Sequence, residues 1–375
     1  MKQNIKILLL TDEMNPGGVA RHVVDLANGL VEKGITPIVA ANDGPFRLRL
    51  HKRILFVSLP LFMPESRRKR FLGLLSSYKI LAPIIRREKI ILIHSHKRYT
   101  DVLGRLLARR MSLPHISTCH NIFSSLRQFS LFGDTTIACS KAVQNMLIRD
   151  FGNDPKSVTP IYYGISPFRE FHEDEKSRIR NQLDILSDKR IVASVGQLIE
   201  SKDRATLIRA IGILKKKHAI ENVLFAILGE GEQKVMLEEL VRSEDVQNHV
   251  VFLHGMFNVE ALFNIADFMV LSSMREGLPF VILEAASLSK PHIATYVGGV
   301  SEFIVDGETG ILIPPGDPNK LADAIKKLLE KPALVKTLGR NAREKYLQQF
   351  TYERFIDQTL EVYRPYFSDR TSVNQ

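Results

Sequence analysis

The chain has 375 residues, 45% of them apolar, enough to bury two cores of ordinary size, so two domains are expected. Its two cysteines, Cys119 and Cys139, exclude a disulfide framework and a cysteine metal site, and no stretch approaches the roughly 18–20 uninterrupted apolar residues of a membrane span. The first half carries the net charge of +11: residues 1–165 hold 25 Lys and Arg against 11 Asp and Glu, a net of +14, and the remainder stands at −3.

The first expected strand runs from Ile5 to Thr11; its apolar run Ile7 to Leu10, cut off by Thr11, Asp12 and Glu13, is too short for a signal peptide, so the chain is expected to stay in the cytoplasm. Asn15-Pro16-Gly17-Gly18 then precedes a helix over Gly18 to Lys33. The bare backbone of Gly17 and Gly18 lets N–H groups approach a bound group closely, although a tight turn is the simpler reading of these residues alone. No third glycine completes a dinucleotide fingerprint, which disfavours a nicotinamide role. Strands over Ile35–Ala41, Ile90–His94 and His115–Cys119 alternate with helices over Phe71–Arg87 and Thr100–Arg110, the rhythm of a parallel sheet covered on both faces. His96 follows the strand Ile90–His94 and His120 the strand His115–Cys119, so both are expected on the ligand side of the sheet, beyond the carboxyl ends of its strands. A lone strand-end histidine usually bonds to backbone; two at consecutive strand ends point to a site.

Between Arg47 and Arg110, Arg67-Arg68-Lys69-Arg70, Arg86-Arg87 and Arg109-Arg110 alternate with Phe71, Leu72, Leu74, Leu75, Ile84 and Ile85. A solvated face, a nucleic-acid surface and a membrane-docking surface compete for this stretch. No nucleic-acid module accompanies it, and basic amphipathic segments suit an anionic inner leaflet at about 1 kcal/mol per basic residue near the surface. The membrane reading is preferred and nucleic acid is not expected.

Tyr163-Gly164-Ile165-Ser166-Pro167 and the charged tract Arg169–Arg180 read as hinge and linker. The expected domains are therefore residues 1–164 and 165–350, followed by a last amphipathic helix over 351–367 and a loose tail. In the second domain the rhythm restarts with Ile191–Val195, Thr206–Lys217, Val223–Leu228, Lys234–Val241, Val250–Leu253 and Phe268–Leu271. Gly196, Gln197 and the cation Lys202 follow its first strand, with Arg204 close by. Gly229-Glu230-Gly231 reads as a turn, as does Asp306-Gly307 with Gly310.

The stretch from Ser272 to Pro315 is the most informative. Pro279 suits the first position of a helix whose free N–H groups and positive dipole end, at Leu278, Pro279 and Phe280, would receive an anion, most naturally a phosphate. Glu276 lies in the loop before that helix and Glu284 on its second turn, and carboxylates beside a phosphate are suited to accepting hydrogen bonds from sugar or ribose hydroxyls. Glu302 follows Gly298-Gly299 at another strand end. Eleven histidines lack metal-ligand spacing and no Asp-x-Asp adjoins a strand, so metal-independent chemistry without a cofactor is expected.

This ordered set, from Gly17 to about Arg364, resembles the retaining, nucleotide-sugar-dependent glycosyltransferases of family 4. The resemblance implies two Rossmann-like doubly wound domains facing across a cleft, the GT-B architecture, with the terminal helix crossing back to the first domain. It implies a first domain for a glycan or lipid-linked acceptor and a second for a UDP- or GDP-linked sugar. It also implies roles: Glu276 near the donor sugar hydroxyls, Glu284 on the ribose, His120 on the donor sugar, Lys202 on the diphosphate, His96 and Glu302 on the acceptor or sugar side, and Gly17-Gly18 against phosphate or acceptor. The chain departs from the family pattern at Gln197, where an arginine is usual, which removes a charged bidentate donor. The competing functions are a nucleotide-sugar 2-epimerase and a non-catalytic nucleotide-sugar- or glycan-binding protein.

Overall fold

A computed structural model describes residues 5–61, 67–123, 132–183, 189–217, 220–253 and 258–368. The chain divides into two compact units, Met1–Gly164 with Tyr352–Gln375, and Ile165–Thr351.

The first unit is built on β1 (Lys6–Glu13), β2 (Thr36–Asn42), β3 (Leu55–Ser58), β4 (Leu92–Ser95), β5 (His115–Cys119), β6 (Thr135–Ala138) and β7 (Val158–Pro160). All pairings are parallel, in the order β3-β2-β1-β4-β5-β6-β7, with Leu8 of β1 flanked by Ile38 and Ile93. Because helices cover both faces, β1 reads as a continuous apolar run, and Ile7 to Leu10 are all fully buried. Each such side chain contributes about 1.5–3 kcal/mol of transfer free energy. The helix Gly18–Glu32 presents Ala20, Val23, Val24, Ala27 and Leu30 to this core. Against it packs the helix Tyr352–Tyr363, which inserts Phe355, Ile356 and Tyr363 and pairs Asp357 with Lys33 at 2.6 Å. Gly29 permits the approach, since a Cβ there would lie 2.4 Å from Ile356 Cδ1.

The second unit contains β8 (Arg190–Val195), β9 (Val223–Leu228), β10 (Val250–Leu253), β11 (Phe268–Leu271), β12 (His292–Thr295) and β13 (Gly310–Ile313), parallel in the order β10-β9-β8-β11-β12-β13. Val192 faces a core with Leu207, Ile211 and Ile325; its neighbours Ile191 and Ala193 face the opposite core with Leu262, Phe263 and Ala285. Both sheets reverse their strand order beside their first strand, β1 against β4 and β8 against β11, and ligands bind at such switch points.

The observed strands β5, β9, β10 and β11 have the bounds expected from sequence, whereas the tract Arg169–Arg180 is not a plain linker. It enters the helix Glu173–Gln182, where Glu175 accepts from the His172 N–H at 3.0 Å and takes Arg169 in a two-bond grip at 2.7 and 3.0 Å. Local ion pairing at i, i+3 and i, i+4 makes a helix of a stretch with no apolar face. Both cysteines are buried and free, Cys119 closing β5 and Cys139 following β6. Most of the expected tail, 369–375, lies outside the described residues.

Candidate functional site

The β8–β11 switch assembles most of the expected donor residues. β8 ends at Val195, and Gly196 turns the chain at φ 142°, a conformation open to glycine. The loop then forms a single 3-10 turn over Glu200–Lys202 and reverses at Asp203, which adopts the left-handed conformation at φ 44°. Asp203 tolerates that geometry because its carboxylate caps the next helix, accepting from Thr206 N at 3.2 Å and Thr206 Oγ1 at 2.7 Å. The loop after β11 clamps the reversal: Ser272 Oγ donates to the Asp203 carbonyl at 2.8 Å and Met274 N to the Ser201 carbonyl at 2.9 Å.

This double anchoring delivers Lys202 to Glu276. The ammonium Nζ lies 2.6 Å from Glu276 Oε1, and Ser273 Oγ donates to the same oxygen at 2.6 Å. Glu276 is 6% exposed and the Lys202 side chain 23%, so the pair joins a buried carboxylate to a partly exposed ammonium. Glu276 Oε2 has no hydrogen-bond partner among the described residues and remains available as an acceptor.

Arg204 does not supply the cation that Gln197 lacks by reaching outward. Its side chain is fully buried, with Nη2 donating to the Val195 carbonyl at 2.9 Å and Nη1 to the Lys202 carbonyl at 3.2 Å. Burial pulls the guanidinium down to about 10, so it stays charged at neutral pH, and it braces the loop after β8 from beneath. Gln197 itself is exposed and has no hydrogen-bond partner among the described residues. Gly229 and Gly231 are packing glycines rather than a free turn: Cβ atoms there would fall 2.0 Å from the Gly196 carbonyl oxygen and 2.3 Å from that of Leu198.

The helix beyond β11 runs Phe280–Ser287, so Pro279 is its N-cap and not its first residue, with ψ 127° placing it in the extended region. Proline offers no capping side chain, and the first-turn amides begin at Phe280. Leu278 is buried and anchors the loop. Glu284 is buried on the second turn. The adjoining loop is joined by Gly299 N donating to the Gly277 carbonyl at 2.8 Å, with Gly298 at φ 51°, and Glu302 follows on the short helix Val300–Phe303, half-buried. Gly196, Lys202, Glu276, Leu278, Pro279 and the Gly298-Gly299 loop thus belong to one assembly at the carboxyl ends of β8, β11 and β12.

The remaining expected residues belong to the first unit. Gly17 caps the helix Gly18–Glu32, and both glycines are exposed. His96 and His120 do come together, and His22, which the sequence did not single out, joins them: their ligating nitrogens lie within 4.8 Å of one another. Desolvation is the first cause of depressed basicity in all three, taking His22 to about 3 and the other two well below the usual histidine range. His120 Nδ1 is held by the Tyr163 hydroxyl at 2.6 Å. The signal for His22 was present: it occupies the apolar stripe of its helix between Ala20 and Val23.

Two Rossmann-type parallel sheets, each reversing beside its first strand, have the GT-B glycosyltransferase fold. Residues 16–169 match the model described as Glycosyltransferase Family 4, and residues 175–345 the one described as Glycosyl transferases group 1; the chain belongs to this family of glycosyltransferases. An uncharacterised glycosyltransferase of Methanocaldococcus jannaschii is 26% identical, covering 96% of this chain and 98% of its own. The capsular polysaccharide biosynthesis glycosyltransferase CapM of Staphylococcus aureus is 24% identical over 80% of this chain and 84% of its own. The structure of Anabaena HepE in complex with UDP-glucose superposes with a TM-score of 0.84 at 23% identity, covering 96% of this chain and 100% of that one, a likeness of fold. Among the described residues no helix is long and apolar enough to cross a membrane.

Proposed function

We propose that this glycosyltransferase moves a hexose-type sugar from a nucleoside diphosphate sugar to a hydroxyl of a glycan or lipid-linked acceptor, with retention at the anomeric carbon, in cell-surface polysaccharide synthesis. The observation that carries the reading is the Lys202–Glu276 pair at the β8–β11 switch. Departure of a nucleoside diphosphate leaves negative charge that must be met without reorganisation. Lys202 and the amides that open the Phe280 helix meet it on the phosphate side, with the buried Arg204 charge beneath. Glu276 offers Oε2 to sugar hydroxyls and Glu284 accepts from the ribose.

In this reading Gly196 and Gln197 line the diphosphate, Leu278 and Pro279 shape the nucleotide side, and Glu302 serves the sugar. His120 serves the sugar through Nε2, His96 the acceptor side, and Gly17-Gly18 a phosphate or hydroxyl. The acceptor oxygen attacks the face from which the diphosphate leaves, and the departing phosphate oxygen takes its proton, so neither a metal ion nor a carboxylate nucleophile is required. The UDP-glucose complex of HepE supports a uridine donor, and CapM supports a polysaccharide product.

The reading extends to a cytoplasmic enzyme docked on the inner leaflet. The helix Arg67–Arg87 exposes Phe71, Leu72, Leu75 and Ile80 beside Arg68, Lys69, Lys79, Arg86 and Arg87. Lipid-linked acceptors lie in that plane.

Turnover of Lys202→Ala, Glu276→Ala and Glu284→Ala with UDP- and GDP-sugars tests the proposal. Rates should fall about 10²–10³-fold for Lys202→Ala, the scale of losing one charge-stabilising donor. Near-normal turnover in all three, or conversion of the donor sugar without any acceptor as an epimerase would give, contradicts it.

A further inference from the structure

The histidine cluster of the first unit carries more than a sugar contact. At the β1–β4 switch, His22 Nε2, His96 Nδ1, His96 Nε2 and His120 Nε2 are all buried with no hydrogen-bond partner among the described residues. His96 is fully buried, and both of its ring nitrogens are orphaned. A buried polar atom left unsatisfied costs about 1–3 kcal/mol, so four in one place call for a ligand with matching chemistry. Thr11 Oγ1 and Asp12 Oδ1, at the end of the neighbouring β1, are orphaned as well.

We infer that His22, His96 and His120 form a binding site for a borderline divalent transition ion of the zinc class. The donors are three imidazoles from three separate elements, the helix Gly18–Glu32 and the ends of β4 and β5. Imidazole sets select Zn²⁺, Co²⁺, Ni²⁺ or Cu²⁺ over Mg²⁺ and Ca²⁺. Tetrahedral ligation at about 2.0–2.1 Å places nitrogens about 3.3 Å apart. The present nitrogens, within 4.8 Å of one another, need to close by about 1.5 Å at most to reach that spacing. Burial keeps the rings neutral, so their lone pairs are ready and no proton need leave on binding.

The surroundings fit this role. The Tyr163 hydroxyl on His120 Nδ1 fixes that ring so that Nε2 faces its partners, the outer-sphere device that orients metal-bound histidines. His96 lies against His94 with ring centroids 4.1 Å apart, and His94 is itself fixed by the Tyr363 hydroxyl at 2.5 Å and Thr118 Oγ1 at 2.7 Å. Three protein nitrogens leave one position of a tetrahedral ion open. A bound ion and a sugar hydroxyl compete for the same Nε2 of His120, so the loaded protein withholds that contact. The ion needs neither Lys202 nor Glu276, which separates this inference from the donor-site reading.

The test uses tag-free full-length protein with Zn²⁺ and Co²⁺ alone. Calorimetry should give one Zn²⁺ per chain with micromolar or tighter affinity, and Co²⁺ should show the intense visible bands of a tetrahedral site. His22→Gln and His96→Gln, each checked for folding by circular dichroism, should abolish the stoichiometric site. Tyr163→Phe should weaken it about 10–100-fold while leaving the three ligands in place. A ¹⁵N imidazole titration of the wild-type protein needs no variant and should move three buried rings together. Absence of a stoichiometric ion, binding unchanged in both glutamine variants, or shifts confined to exposed rings such as His51 overturns the inference.

Discussion

Lys202 and Glu276, 74 residues apart in sequence, meet at 2.6 Å because two backbone features converge: the left-handed turn at Asp203 and the clamp from Ser272. The pair holds the ammonium in place and keeps the buried carboxylate from standing alone. Removing the lysine leaves Glu276 with Ser273 as its one remaining partner among the described residues, at a cost of about 1–3 kcal/mol. A denaturation double-mutant cycle should therefore be strongly non-additive, with Glu276→Ala/Lys202→Ala more stable than Lys202→Ala alone. Additive losses would mean the pair is not coupled in solution.

Gln197 is exposed and without a hydrogen-bond partner among the described residues, and an arginine there would present two parallel donors to the diphosphate of the proposed donor. Gln197→Arg should lower the donor KM by about tenfold, or ~1.4 kcal/mol, with kcat little changed and the gain shrinking at high salt. Steady-state kinetics with the best donor checks this; an unchanged or higher KM places the diphosphate elsewhere.

The sequence predicted the alternation of strands and helices well because parallel strands buried on both faces are short unbroken apolar runs, as Val223–Leu228 shows. The local structure of Ser272–Pro315, a loop and a helix start carrying Glu276 and Glu284, was also legible, because glycine, proline and two acids lie close in the chain. What the sequence did not predict are relations that only packing creates. Arg204 looks like any surface cation until the helix buries it, and His22 acquires meaning only from His96 and His120 across the sheet. Asp203 was legible in principle, since an aspartate three residues before Thr206 is a capping signature. Strands β6 and β7 were missed because Thr135, Thr136 and Pro160 interrupt their apolar pattern.

His292 on β12 gives the second unit a defined acid sensitivity. Burial holds its folded-state basicity near 3 against an ordinary 6.5. The unfolded chain therefore takes up the proton first as pH falls, and stability that is full above about 6.5 declines toward 3 at about 1.4 kcal/mol per pH unit. Between pH 7 and 5 the loss is about 2 kcal/mol. Urea midpoints across this range, compared with His292→Gln, should differ by that amount; identical pH profiles would contradict the assignment.

The exposed apolar and basic face of the helix Arg67–Arg87 should bind vesicles containing phosphatidylglycerol and ignore zwitterionic ones. Leu72→Ser/Leu75→Ser should cut the bound fraction about tenfold or more in co-sedimentation, since each buried leucine contributes about 1.5–3 kcal/mol. Turnover on a soluble acceptor should be unaffected. Equal binding to both vesicle types would remove the membrane reading and leave a solvated face.

In the proposed function the β8–β11 switch holds the donor. A crystal structure with an intact, non-transferable UDP-sugar tests it most directly. The account predicts a diphosphate oxygen within about 3 Å of Lys202 Nζ, sugar hydroxyls on Glu276 and the ribose on Glu284. A nucleotide bound away from all three, with the Lys202–Glu276 pair undisturbed, would contradict it.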